Sequence, residues 1–413
     1  MTNDLIEKKS KFDPIPITRP VFDDDDIRAV SEVLKSGWVV QGSRVKEFER
    51  LFCEFTGGAH AIAANSCTSA LHLSLVAAGI GPGDEVLLPS FTFIATANAV
   101  EYTGARPVFV DIDPATYNID ANKIEACLKN HKSAGLTRPK AIIPVSLFGL
   151  SADMVAVNRL AEQYGLIVIE DAACSLGAFR DGRHAGTEAL TGNFSFHPRK
   201  ALSTGEGGMV LTNDDKIADR IRKLRDHGAS KTDLERHLSD GGSLLPEYNL
   251  LGYNYRLTDI QGALGVNQMN KVETVLRGRQ EAARRYYQLL ETVPELVPPV
   301  VPEKYHHAYQ SFVCLYRPDN IEKPSRKEID RLNRDRNRLM AHLESRGISV
   351  RQGTHAVHTL GYYQNKYGLA DFDFPFAYLA DRLTITLPLY YDLSEPEQKR
   401  VVSTIREYLD GKI

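Results

Sequence analysis

Short apolar runs alternate with helix-length amphipathic stretches through the middle of the chain. The runs are His60–Ala64, Glu85–Pro89, Pro107–Asp111, Ala141–Ser146, Leu166–Asp171, Asn193–His197 and Gly208–Thr212. Several have no polar residue in their interior, as expected of strands covered on both faces. The pattern predicts an α/β domain with a seven-stranded, mainly parallel sheet, which binds ligands at the carboxyl ends of its strands. Before it, Asp23–Asp26 opens one helix, stopped at Ser36-Gly37-Trp38, and Arg44–Phe55 forms a second with Val45, Phe48, Phe52 and Phe55 at helical spacing. After it come a basic helix over 215–227, a loop over 228–247, and a long helix capped by Thr258 or Asp259. Pro294, Pro298, Pro299 and Pro302 then break the chain. Three regions follow: a loosely held arm (1–19), a large α/β domain (20–293) and a smaller C-terminal α+β domain (294–413). In the last, the pattern predicts strands Gln310–Tyr316 and Ile348–Arg351, helices Arg326–Arg346 and Glu395–Leu409, and a polar loop His355–His358.

Composition narrows the class. Apolar residues make up 43% and charged residues 25%, ordinary for a globular protein, and the formal net charge of −3 gives no footprint for nucleic acid or an anionic membrane. The basic cluster Arg326–Arg338 is interleaved with acids and reads as a solvated helix face. The five cysteines are dispersed without metal-ligand spacing, so free thiols in a reducing compartment, and no metal, are expected. With no apolar leader at Met1–Lys9 and no membrane-length apolar run, the expectation is a cytoplasmic protein.

The candidate chemistry lies just after the strand ends. Asn65-Ser66-Cys67-Thr68-Ser69 opens an apolar helix; its hydroxyls serve as helix caps or as a phosphate cradle. Phe93 follows the second run and is either core or a surface on which a flat ring stacks. Asp171 ends an apolar strand, where a half-buried carboxylate needs a partner. Lys200 stands between two strands in Ser195-Phe-His-Pro-Arg-Lys200; alone it could simply extend to solvent. Together these describe a site for pyridoxal 5′-phosphate (PLP), whose aldehyde needs a lysine amine and whose pyridine nitrogen needs an anionic partner.

The chain resembles the DegT/DnrJ/EryC1/StrS family of PLP-dependent sugar aminotransferases, of the aspartate-aminotransferase fold (fold type I), over nearly its whole length. The segments that carry the resemblance are Ser36-Gly37-Trp38 with Glu47-Phe48-Glu49, Asn65–Leu71, Pro89–Asn98, Glu170-Asp171-Ala-Ala, Ser195–Lys200, Gly205-Glu-Gly-Gly208, Gly252–Arg256 and Leu387–Tyr390. The resemblance implies that Lys200 bears the cofactor and Asp171 pairs with its ring nitrogen. Phe93 matches the stacking aromatic, and Thr68, Ser69 and Ser195 the phosphate contacts. Asn254, with Arg256, matches the residue that reaches the phosphate from the partner subunit of a homodimer, and His358 falls near a substrate-pocket histidine. The implied reaction moves an amino group from L-glutamate to a keto sugar on a nucleotide diphosphate, through pyridoxamine 5′-phosphate.

Two features depart from the family pattern. Cys174 stands where members place glutamine or histidine near the cofactor's 3′-hydroxyl, and a thiol is a weak donor. The charged 318–338 segment and the Gly353–His358 loop are richer than usual and suit a role in specificity. Dehydratase relatives carry histidine at the lysine position, so Lys200 argues against that branch. Amination of a cyclitol or an aminohydroxybenzoate-type ketone stays open. From another class, so does a non-catalytic PLP-binding regulatory dimer, which the paired Lys200 and Asp171 argue against.

Overall fold

A computed structural model describes residues 13–130, 136–238, 245–317 and 325–411. Two amphipathic helices come first, α1 (Asp24–Ser36) and α2 (Ser43–Thr56). Asp23 caps α1 by accepting from the amides of Asp25 and Asp26, while Asp26 reaches back to the Asp23 amide.

The central sheet has seven strands: β1 (His60–Ala64), β2 (Glu85–Pro89), β3 (Arg106–Val110), β4 (Pro139–Ile142), β5 (Ile167–Asp171), β6 (Thr191–Ser195) and β7 (Gly208–Thr212). Their spatial order is β1-β7-β6-β5-β4-β2-β3. Only β7 runs against its neighbours, with Gly208 opposite both Ala64 and Ser195. The carboxyl ends of the other six strands and the start of β7 therefore share one edge. Buried strand interiors such as Val86, Leu87 and Leu88 explain the unbroken apolar runs, since helices cover both faces.

Crossover helices α3 (Cys67–Ala77), α4 (Ile94–Tyr102), α5 (Ala121–Lys129), α6 (Met154–Tyr164) and α7 (Asp215–Arg225) flank the sheet. The expected 228–247 loop contains a short helix, α8 (Asp233–Leu238); Gly241 and Gly242 lie outside the described residues. The long helix α9 (Asp259–Leu290) starts from Thr258, which accepts from the Gln261 amide. Its first half packs on α2, where Gly262 allows close approach: a Cβ there would lie 2.6 Å from the Val45 nitrogen. Its second half, from Ala282 to Leu290, enters the core of the C-terminal domain.

That domain has an antiparallel sheet of β8 (Leu296–Val297), β9 (Phe312–Tyr316) and β10 (Thr384–Leu387). Helices α10 (Arg326–Ser345), α11 (Gly361–Tyr367), α12 (Pro375–Leu383) and α13 (Glu395–Gly411) accompany it. Residues 318–324 of the charged segment fall outside the described residues. Two expectations need correction. Ile348–Arg351 forms no strand; it makes isolated bridges, Ile348 to Ile15 and Arg351 to Thr386. Residues 13–19 are not loose, because Ile15 is 1% exposed in the C-terminal core and its amide donates to the Gly347 carbonyl at 2.9 Å. Its partners come from the far end of the chain, which local pattern cannot reveal. We propose the boundary at 293/294 as the division of the backbone, with α9 shared by the two cores.

Candidate active site

The carboxyl edge of the sheet, the turn after β6 and one face of the C-terminal domain enclose a cavity of about 390 Å³. Lys200, Asp171, Phe93, Thr68, Ser195 and Cys174 all line it.

Each is placed by a local device. Ser66 caps α3, accepting from the Ser69 amide at 3.1 Å, so the first-turn amides of Cys67 and Thr68 have no acceptor within the helix. α3 is seated on β6 by Ser74, whose hydroxyl donates to Asn193 Oδ1 at 2.8 Å. Gly208 lets β7 lie against this turn; a Cβ there would stand 2.4 Å from the Ser66 carbonyl oxygen. Phe93 is the residue just before α4 and stays 57% exposed, unusual for an aromatic next to a buried strand end.

Asp171 is 5% exposed and accepts from the Thr96 hydroxyl at 2.7 Å and the Ala173 amide at 3.1 Å. Burial pushes its carboxyl above the ordinary range, against the pull of Thr96, Ala173 and the charge of Lys200. A cation placed against it would reverse that shift. Its neighbour Glu170 points to the opposite face of β5 and accepts from the Ser146 hydroxyl (2.5 Å) and the Gly186 amide (2.7 Å). Burial raises Glu170 to about 7.

Lys200 sits in a turn in which its amide donates to the His197 carbonyl at 2.8 Å. Its Nζ lies 3.0 Å from Cys174 Sγ. The thiol thus faces the lysine within the cavity. Around the mouth stand His197, Arg199, Glu206, Gln310, Arg351, Gln352 and Thr354. Burial and the nearby Arg199, Lys200 and Arg351 lower the pKa of His197.

Four of the expected site residues lie off the cavity wall. Ser69 spends its hydroxyl on Asn65 Oδ1 at 2.6 Å. Asn254 is exposed, and Arg256 pairs with Asp226 at 2.6 Å, so neither reaches the cavity of its own chain. His358 is corrected: it is 0% exposed, with Nδ1 2.5 Å from the Ser90 hydroxyl and Nε2 2.9 Å from the Asp371 carbonyl. The carbonyl requires Nε2–H, so Nδ1 accepts from Ser90; burial keeps the ring neutral by lowering its pKa. Three further residues at the site were not among those expected from the sequence. Thr96 shares the first turn of α4 with Phe93, a spacing visible in the sequence. Gln310 and Arg351 arrive from the C-terminal domain and have no local signature.

The donor set fits PLP. A primary amine, a buried carboxylate held by two donors, an exposed aromatic face and a helix start with free amides converge on one cavity. Lys200, Asp171, Phe93 and the Cys67–Thr68 turn with Ser195 are the residues that would hold it.

A profile of the DegT/DnrJ/EryC1/StrS aminotransferase family matches residues 20–406. The chain is 37% identical to the spore coat polysaccharide biosynthesis protein SpsC of Bacillus subtilis (strain 168), covering 98% of this chain and 100% of that one. Among solved structures, the putative sugar aminotransferase Spr1654 of Streptococcus pneumoniae, seen in PLP and PMP forms, superposes with a TM-score of 0.84 at 25% identity, over 97% of this chain and 100% of that one. DesI in the presence of its TDP-sugar product gives a TM-score of 0.81 at 26% identity, over 97% and 94%. The chain belongs to the DegT/DnrJ/EryC1/StrS aminotransferase family and is a PLP-dependent aminotransferase of fold type I.

Proposed function

We propose that this aminotransferase moves an amino group from L-glutamate to a keto sugar carried on a nucleotide diphosphate. The observation that carries the reading is one cavity with Lys200 and Asp171 inside and two arginines, Arg199 and Arg351, at its rim. Among the described residues neither rim guanidinium has a carboxylate partner, so both are available to a carboxylate or phosphate oxygen. DesI with its TDP-sugar product supports the same substrate class.

When bound, the cofactor supplies an electron-accepting ring. The chain's own groups do the rest. Asp171 would place its carboxylate against the ring nitrogen and so favour a proton there. The amides at the start of α3, with Thr68 and Ser195, would hold the phosphate. Phe93 would cover one face of the ring and exclude water there. Lys200 Nζ would take the proton from the donor's Cα and hold it for return, serving as base and then as acid. A second copy of the chain would bring its Asn254 towards the phosphate end.

The test mixes PLP-loaded protein with L-glutamate and a panel of nucleotide-linked 3-keto and 4-keto sugars, and measures 2-oxoglutarate and amino sugar. Product from at least one member is expected; Lys200→Ala should lose the lysine-linked cofactor absorbance and turnover. No 2-oxoglutarate with any acceptor overturns glutamate as donor. Turnover of a free cyclitol ketone, with none of a nucleotide-linked sugar, overturns the acceptor class.

A further inference from the structure

Arg279, on α9, is 2% exposed and among the described residues has no carboxylate beside it. Other buried arginines are offset: Arg225 pairs with Glu49 at 2.6 Å, and Arg336 donates to the Thr384 carbonyl at 2.8 Å near Asp381. A lone buried cation costs several kcal/mol, and an apolar side chain of similar volume is often the more stable choice. Arg279 spends its charge on a particular set of oxygens. Nη1 lies 3.0 Å from the Gln310 carbonyl, 3.4 Å from that of Tyr309 and 3.5 Å from that of Leu389. Nη2 lies 3.4 Å from the Thr18 hydroxyl and 3.5 Å from the Lys200 carbonyl. Only the first is a full hydrogen bond; the others are long contacts that add through one rigid planar group.

The partners belong to four segments distant in sequence. Thr18, Lys200, Gln310 and Leu389 all line the cavity. The segment before β9 is shaped to serve: Tyr309 adopts a left-handed φ of 49°, its amide donating to His307 Nδ1 at 2.8 Å, which turns two successive carbonyls onto the guanidinium. Gln310 also ties back to the lysine's turn, donating from Nε2 to the Arg199 carbonyl at 3.1 Å.

We propose that Arg279 is a positioning residue for the catalytic lysine. Its planar fork registers the turn bearing Lys200 against the N-terminal segment and the C-terminal domain, so that Nζ is presented to the cavity in one place. The proposal rests on the reading of Lys200 as the cofactor-bearing residue.

Arg279→Lys keeps the charge but loses the fork. The expected result is a melting temperature near the parent's, kcat per cofactor-loaded site lower by about 10-fold or more, KM for glutamate within about 2-fold, and slower capture of added PLP by absorbance, since small misplacements of a reacting group act on kcat. A fall in melting temperature with parental kcat per loaded site would show a purely structural role and overturn the proposal. If Arg279→Lys does not fold, Thr18→Val removes one acceptor: a kcat loss of about 2- to 5-fold at constant KM supports the proposal, and parental kcat overturns it. Parent protein that develops no lysine-linked absorbance with PLP sinks the Lys200 reading instead, so the two failures are distinguishable.

Discussion

At the scale of single residues, β5 presents two adjacent carboxyls to two different jobs. Asp171 faces the cavity, whereas Glu170 is fully buried behind it and held near pH 7. Glu170 binds its proton more tightly folded than unfolded, so its contribution is present below its ordinary pKa of 4.5 and lost as pH rises through about 7. The shift corresponds to about 3 kcal/mol, which Glu170→Gln should abolish. The melting temperature of the parent, relative to this variant, is therefore expected to fall between pH 4.5 and 8; a difference independent of pH would contradict it. On the rim, Arg351 is anchored by its backbone to Thr386 while its side chain lines the mouth. Arg351→Ala should raise KM for an anionic substrate by about 10- to 100-fold, the loss of one charged contact, with a smaller effect on kcat. Equal KM values for every donor and acceptor would remove Arg351 from substrate binding.

At the scale of elements, legibility followed how local the cause was. Lys200, Asp171 and Phe93 stand at strand ends beside short signals, and the seven runs correspond to the seven strands within a few residues. The family resemblance alone put His358 near the substrate pocket; its burial depends on Ser90 and Asp371, which no local pattern names. Arg279 reads as one more polar position on a long helix, since its partners come from Thr18, Lys200, Gln310 and Leu389. The junction of α2 and α9 turns on a missing side chain. Alanine at 262 would gain about 1 kcal/mol of helix propensity. Its Cβ would nevertheless meet backbone atoms at 2.6–2.8 Å, and overpacking of that kind costs about 1–3 kcal/mol. Gly262→Ala should thus lower the melting temperature, whereas Gly361→Ala, with nothing within 4 Å at the start of α11, should leave it unchanged or raise it. The reverse ranking would refute the close-approach argument.

At the scale of the whole molecule, a patch of apolar side chains remains uncovered: Leu245 is 80% exposed, Tyr248 59% and Leu251 88%. Asn254 and Arg256 follow shortly after in sequence. We expect this surface to meet a second copy, carrying Asn254 to the neighbouring site. Leu251→Asp should shift the protein towards monomer in sedimentation and weaken PLP retention together. A monomeric parent with full activity would dismiss the shared site.

The pairing of Ile15 with Ile348 also has a temporal side. Ile15 leaves the ribosome well before its partner, which is made roughly 330 residues later, about 20–70 s at ordinary elongation rates. Throughout that interval the segment has no groove to occupy. Thr18, beside the lysine's turn, waits with it. The nascent large domain can build its sheet and its phosphate turn early, but the cavity closes only when Gln310, Arg351 and Leu389 arrive to meet Thr18.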